Sequence, residues 1–522
     1  MNIRTIITAV FAGSMLLASC GTSTPKQQPG EKARVFITCD PELDDNNSLI
    51  RYILFADNFE TEGIVLTSSK FHWKNDGSGK TQYRETSEYA AMGLGPQTEW
   101  RWGDGDSMIV RLLEDYEACY PNLKVHSAEY PTPEFLWSRY KVGNIYFEGD
   151  YSYDSEGAQL LEEVLMKDDP RPIFVQAWGG SSTIARALYN IELKYKGTDR
   201  WDSIYKMITD KMYICGGDQD GCLTGYIQEN WPDYKRPGQG GVPMPIAYNG
   251  QRSLPDEYVY YFEPEWVSEN LRIGPFGEHQ RVWGDGKQFC PGDKWDYFGI
   301  AGKTAEELVE EGYVVWSDLE KPGSFLAEGD SGCFLNQIDN GLRAWQDPTW
   351  GGWGGRRDPK ASAPRRAMSF GAVNIEGMRS RGLNGRPRVP YKKSELFPDF
   401  FPEAMNSLAV RFHWSVNPDY ASCNHYPIVN GPLELSAAPG EKVTIKAVAA
   451  DPDGDGLAIK WMQFKVGTYE GDVAVDSPST AKTTFTVPAD AKSGETIHLV
   501  LQAADNGTPS LIRYLRTVIT VR

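Results

Sequence analysis

The chain has 522 residues, 40% hydrophobic and 24% charged, enough to bury more than one core, so two domains or one large domain with an appendage are expected. A net charge of −18 argues against nucleic-acid polymers as partners, because phosphate binding needs a basic face. Sixteen tryptophans and 27 tyrosines read mostly as core, with stacking on sugars or bases as the secondary use.

The chain opens with a basic start, Asn2-Ile3-Arg4, and an apolar run to Leu17. The segment Leu17-Ala18-Ser19-Cys20-Gly21 then resembles a bacterial lipobox. On that reading residues 1–20 are a lipoprotein signal peptide, Cys20 carries the lipid, and residues 21–33 form a flexible tether. The protein would then sit at the bacterial cell envelope, touching membrane through its anchor alone. The other cysteines, Cys39, Cys119, Cys215, Cys222, Cys290, Cys333 and Cys423, lack zinc spacing and read as core residues with one or two disulfides.

The first ordered stretch runs Arg34-Val35-Phe36-Ile37-Thr38-Cys39-Asp40-Pro41-Glu42-Leu43-Asp44-Asp45-Asn46-Asn47-Ser48. It reads as a strand, an acidic loop and a helix carrying Leu49, Ile50, Tyr52, Ile53 and Leu54. Asp40, Asp44 and Asp45 thus gather at the carboxyl end of a predicted parallel strand, where open α/β sheets place ligands. Two such charges about 4 Å apart repel by roughly 4 kcal/mol at an effective dielectric near 20. A helix N-terminus returns only about 0.3–1 kcal/mol per carboxylate. A cation is the remedy if the loop is partly buried, and all-oxygen ligands favour Ca²⁺ or Mg²⁺. Water screening of an exposed helix cap is the other reading.

Further along, Thr61–Ser69 reads as a second strand, completing a βαβ opening. Helical patterns follow at Glu85–Leu94 and Ser107–Cys119, then a polar, aromatic loop region to Asp154 containing Trp137 and Tyr140. Gly157–Met166 is helical, and Arg171–Leu188 reads as strand, glycine turn and helix. Met212–Cys215 is a strand running into Gly216-Gly217-Asp218-Gln219-Asp220, with Gln228–Asp233 beyond. Ser324–Gly332 carries Glu328, Gly329 and Asp330, and Trp350–Arg356 is an aromatic, glycine-rich loop. From Pro432 onward, period-two stretches separated by turns predict an immunoglobulin-like sandwich. Its Asp451-Pro452-Asp453-Gly454-Asp455-Gly456 loop lacks an EF-hand's distal glutamate and reads as a plain turn.

Asp40-Pro41-Glu42-Leu43-Asp44-Asp45 resembles the D-P-G-x-D-D signature of nucleoside hydrolases. Glu42 replaces the usual glycine, and Thr38 stands where many members carry another aspartate. The resemblance implies that Asp40 and Asp45 bind Ca²⁺, that Asp40 is also the general base, and that Asp44 contacts sugar hydroxyls. It extends to Ser69 in a sugar-contacting loop, to Trp178 as a main-chain calcium ligand, and to Glu229 and Asn230 as substrate contacts. Asp330 matches the last calcium ligand, but Gly329 occupies the position of a histidine acid, which leaves Glu328 or His279 for that role. Trp350 and Trp353 are candidate sugar-stacking residues.

In this order the motifs resemble a narrower group of bacterial proteins, with a nucleoside-hydrolase-like domain described as cellulose-binding and a further C-terminal β domain. The implied fold is α/β, an open, mostly parallel sheet with helices on both faces, over residues 34–400, then a bridge at 401–430 and an all-β immunoglobulin-like sandwich at 431–522. The implied activity is Ca²⁺-dependent hydrolysis of an N- or O-glycoside with a vicinal diol. The alternatives are a non-catalytic carbohydrate-binding lipoprotein and a surface scaffold with a degenerate site.

Overall fold

In the computed structural model, which describes residues 32–237, 244–356, 374–385 and 399–522, strand β1 (Ala33–Cys39) forms the centre of a five-stranded parallel sheet. The order is β3-β2-β1-β4-β5, with β2 at Phe59–Leu66, β3 at Tyr140–Val142, β4 at Ile173–Ala177 and β5 at Met212–Gly216. Cys20, the signal segment and nearly all of the tether lie outside the described residues.

Alternation along the strands builds two cores. Val35, Ile37 and Cys39 of β1 face one layer with Ile64 and Leu66 of β2, and Phe36 and Val65 face the other. The first layer is covered by α1 (Leu43–Leu54) and the helices Met108–His126 and Phe401–Val416. The second is covered by the helices Glu156–Met166, Ser182–Tyr195 and Trp201–Lys211. The sheet therefore has helices on both faces, as expected.

Beyond it, β6 (Ile428–Asn430) to β13 (Ile512–Val521) make an all-β domain. Between them lie β7 (Glu434–Ala437), β8 (Lys442–Lys446), β9 (Val448–Ala450), β10 (Ala458–Phe464), β11 (Lys482–Thr486) and β12 (Thr496–Ala504), and the main sheet has the order β10-β12-β13-β7, beside the pairs β11-β8 and β6-β9. Its core is closed by Trp461, Phe485, Leu499, Leu501 and Ile519.

Three expectations are corrected here. The loop region before Asp154 contains a capped helix, Pro133–Arg139, and the edge strand β3, whose three residues pair with β2. The bridge at 401–430 begins with a 16-residue helix buried along Phe401, Ala404, Met405, Leu408 and Phe412, an i, i+3, i+4, i+7 stripe. The cysteines from Cys39 to Cys423 are free thiols rather than bridged pairs. Among the described residues no helix is long and apolar enough to cross a membrane.

Candidate functional site

The sheet reverses its winding between β1 and β4, and both strand ends supply the site. Asp40 follows β1, and the Trp178-Gly179-Gly180 turn follows β4. Gly179 is needed there: a Cβ on it would fall 2.9 Å from Asp40 Oδ1.

Asp40 is fully buried, and its two oxygens differ. Oδ2 accepts from the Ser69 hydroxyl and from His72 Nδ1 at 2.8 Å. Oδ1 has no hydrogen-bond partner among the described residues. Ser69 is itself fixed, accepting the backbone N–H groups of Phe71 and His72. The strand-end loop of β2 thus orients Asp40, which places Ser69 behind the carboxylate rather than on a substrate wall.

Helix α1 starts without a side-chain cap, and its first turn points Asp44 and Asp45 into the same hollow. Asp45 Oδ1 accepts the Asp40 backbone N–H at 3.1 Å. Glu42, the departure from the signature, adds a carboxylate: ligand oxygens of Glu42, Asp44 and Asp45 lie within 4.8 Å of one another, and Glu42 is 3.9 Å from His72 Nδ1. Thr38, at the other departure, turns away to the carbonyl of Gln176.

The distant segment is held by the asparagines after the aspartates. Asn47 donates to the carbonyls of Arg281 and Ala327 at 3.0 and 2.9 Å and accepts from the Arg281 N–H at 2.8 Å. Ser48 accepts the N–H groups of Asp330 and Ser331. Asp330 is thereby set in side-chain contact with Asp45, close enough to Asp44 and Asp40 to feel both charges. A Cβ on Gly329 would collide with the Asp44 carboxylate, so this turn has no room for the histidine of the family pattern.

Burial and mutual repulsion dominate the electrostatics. Burial, then Asp40, raises Asp44 to about 7, against a hydrogen bond from Tyr248. Burial raises Asp45 and Asp330 well above the carboxylate range, reinforced for Asp45 by Asp330 and for Asp330 by Asp44. Glu42 is raised likewise by burial and by Asp44, with Arg101 opposing. Arg101 holds a left-handed backbone, φ 48°, while its side chain pairs with Glu88 and Asp293. This is an acceptor-rich, acidic hollow with a bare buried oxygen, and such a donor set suits a hard divalent cation. The carbonyl of Trp178, the main-chain ligand expected here, accepts from Gln219 at 2.8 Å.

Other expected contacts lie elsewhere. Glu328 is completely buried in an ion pair with Arg51 of α1, so it anchors the 328–330 turn instead of facing substrate. His279 pairs with Asp115 at 2.6 Å beside a separate cleft of about 410 Å³. Glu229 is exposed near Tyr151, and Asn230 donates to the carbonyl of Tyr226, away from the aspartates. Trp353 is core, edge-on to Phe55, and Trp350 meets Arg343, Arg516 and His498 where the β domain docks. Asp218 and Asp220 cap the turn and helix starts around them.

The aromatic wall beside the aspartates is instead Tyr248, whose hydroxyl reaches Asp44 and whose ring packs against Trp316 and Phe298 at 4.9 and 5.3 Å. Sequence reasoning missed it along with His72 and Arg101. His72 alone left a usable signal, standing three residues past Ser69 at the end of a strand.

The family described as "Cellulose-binding Sde182, nucleoside hydrolase-like domain" matches residues 34–357, and "Cellulose-binding protein Sde0182, C-terminal domain" matches residues 442–521. Among solved structures, a nucleoside hydrolase-related hypothetical protein from Saccharophagus degradans, associated with carbohydrate metabolism, is 23% identical. It covers 94% of this chain and 100% of its own, with a TM-score of 0.65. The titin M3 domain and a chimeric titin Z1Z2 match over 18% of the chain at 12% and 16% identity, covering 96% and 95% of their own lengths, with TM-scores of 0.14 and 0.13 that carry no weight. No curated protein matches the sequence. The first match spans more than half of the chain, over the parallel-sheet domain, and the second falls on the trailing β domain: the chain belongs to the Sde182 family, described as cellulose-binding with a nucleoside hydrolase-like domain.

Proposed function

We propose that this protein is a Ca²⁺-dependent hydrolase of a glycosidic bond, acting on an N- or O-glycoside with a vicinal diol in carbohydrate catabolism. The observation that carries the reading is the bare Oδ1 of buried Asp40 beside the crowded carboxylates of Glu42, Asp44, Asp45 and Asp330. Asp40, Asp45, Asp330 and the Trp178 carbonyl would hold Ca²⁺, which supplies a bound water of lowered pKa and positions for two sugar hydroxyls.

Asp40 takes the proton of the attacking water. Its other oxygen is kept in place by Ser69 and His72, so the carboxylate does not swing as the proton transfers. Asp44, steadied by Tyr248, grips a hydroxyl, and the surrounding carboxylates favour positive charge developing on the ring. Tyr248 and Trp316 offer the stacking face. The lipid on Cys20 would keep this chemistry at the cell envelope.

The family description favours a second reading, in which the same hollow binds carbohydrate without turnover. The discriminating experiment measures reducing-sugar release from nucleosides, furanosides and plant polysaccharides, with Ca²⁺ and with chelator. Hydrolysis that needs Ca²⁺ and drops by about 10²–10⁴-fold in Asp40→Asn is expected. Saturable binding with no release supports the second reading, and turnover that survives both chelation and Asp40→Asn overturns the mechanism.

A further inference from the structure

A second group of acidic side chains lies in the β domain, where its linker meets the α/β domain. Ligand oxygens of Asp451, Asp453 and Asp455 fall within 4.8 Å of one another. Acidic turns of this kind are common, and by itself this one says nothing of a ligand. The independent observation is what two other segments, hydrogen-bonded to this turn, leave buried and unpaired beside it.

Asp505 is 5% exposed, and its Oδ1 accepts three donors: the N–H groups of Gly507 at 3.0 Å and Leu511 at 2.9 Å, and Asn424 Nδ2 at 3.1 Å. Its Oδ2 is buried with no partner among the described residues. Asn424 is 8% exposed, and its amide orientation is fixed because Nδ2 serves two acceptors, Asp505 Oδ1 and the Pro509 carbonyl. Its Oδ1 is therefore a true acceptor, and it too is buried and unpartnered. Asp451 repeats the pattern: Oδ1 accepts the N–H groups of Asp453 and Asp455 at 2.9 and 3.1 Å, and Oδ2 is buried and bare.

The segments are stitched to each other. His425 donates its N–H to Asp453 at 2.7 Å, Gly456 donates to Asn506 at 2.7 Å, and a Cβ on Gly507 would strike the Asn424 amide. Asp451 is close enough to Asp505 to raise its pKa, after burial, which is the larger cause. Among the described residues the basic side chain paired with these acids is His425, whose Nδ1 lies 2.9 Å from Asp453. Three orphaned oxygens from three segments, all acceptors, leave a deficit of positive charge that no neutral donor group fills. Oxygen-only donors in irregular number are what Ca²⁺ accepts and what a transition metal does not prefer.

We propose that Asp451, Asp453, Asp455, Asp505 and Asn424 form a second Ca²⁺ site, which fixes the linker around Asn424 and His425 against the β domain. The site is independent of the strand-end hollow. His425 carries the effect across the seam: it stacks on Tyr420 at 3.6 Å and hydrogen-bonds His126 of the α/β domain at 3.0 Å. Ordering the loop therefore orders the joint.

Calorimetric titration of the full chain with Ca²⁺ tests it. Wild type is expected to bind two equivalents. The Asp40→Asn/Asp45→Asn variant, which disables the strand-end hollow, should keep one. Adding Asp455→Asn, at a partly exposed position that does not threaten folding, should weaken that remaining equivalent at least tenfold, and Asp505→Asn should do the same. Circular dichroism verifies that each variant is folded. If the Asp40→Asn/Asp45→Asn variant binds no Ca²⁺, or binds it equally well with Asp455→Asn and Asp505→Asn added, the loop site is overturned. If wild type binds one equivalent, lost only with the loop variants, the loop site stands and the strand-end reading fails.

Discussion

The two ends of the central sheet treat buried charge in opposite ways. At the amino end, Arg34 of β1 pairs with Glu62 of β2 at 2.6 Å and with Asp169 at 3.5 Å, Lys167 reaches Glu62 at 2.7 Å, and Arg171 clamps Glu60 and Asp169. Burial pushes Glu62 up, yet hydrogen bonds from Lys167 and Arg34 outweigh it, and Asp169 is held at about 2, chiefly by Arg171. At the carboxyl end, Glu42, Asp44, Asp45 and Asp330 are all raised, and Asp40 keeps a bare oxygen. The chain can neutralise acids where stability requires it. Where it leaves them crowded, folding stability bears the cost, which suits the ligand site proposed above.

Four perturbations would break or sharpen that contrast. The largest effect is expected from Arg34→Ala, which strips a nearly solvent-free guanidinium from two acids and should cost about 3–5 kcal/mol in denaturant unfolding. At the other end the sign reverses: in chelator at pH 7–8, Asp45→Asn should raise unfolding free energy by about 1 kcal/mol, the worth of one pKa unit. The pH profile follows from Asp44, whose folded value of about 7 lies above an unfolded value near 3.9. Its contribution is present below about pH 4 and lost as pH rises through 7, so chelated wild type should melt progressively lower over that window, and saturating Ca²⁺ should abolish the decline. The smallest effect belongs to Asp169→Asn, at most about 1 kcal/mol because the pair is partly exposed. That deficit is present above pH 4 and should narrow as pH falls toward 2, in urea titrations at stepped pH.

Legibility in the sequence followed locality. Asp40, Asp44 and Asp45 could be read because one strand and one helix turn bring them together, and the family pattern added Asp330. Tyr248 and Arg101 could not, since each arrives through a separate loop whose path the hydrophobic pattern does not set, whereas His72 stood legibly close to the end of a strand. Glu328 and Asp330 stand two residues apart, yet one locks α1 through Arg51 and the other enters the hollow; spacing within an irregular turn does not say which side faces in. Trp350 and Trp353 read as a sugar platform because aromatic, glycine-rich loops look alike whether they meet a ligand or a neighbouring domain. The 401–416 helix had a plain periodic stripe and was legible in principle. The edge strand β3 was not, since three residues carry no usable period.

The docking of the β domain has a consequence for how the chain comes apart. Phe464, Val500, Leu511 and Tyr514 belong to the same apolar cluster as Trp353, Phe400 and Phe401, and Arg516 reaches across to the carbonyls of Trp350 and Gly351. Severing the last hundred or so residues would open a greasy wound on the parallel-sheet domain, and the two halves are built to melt as a single cooperative body.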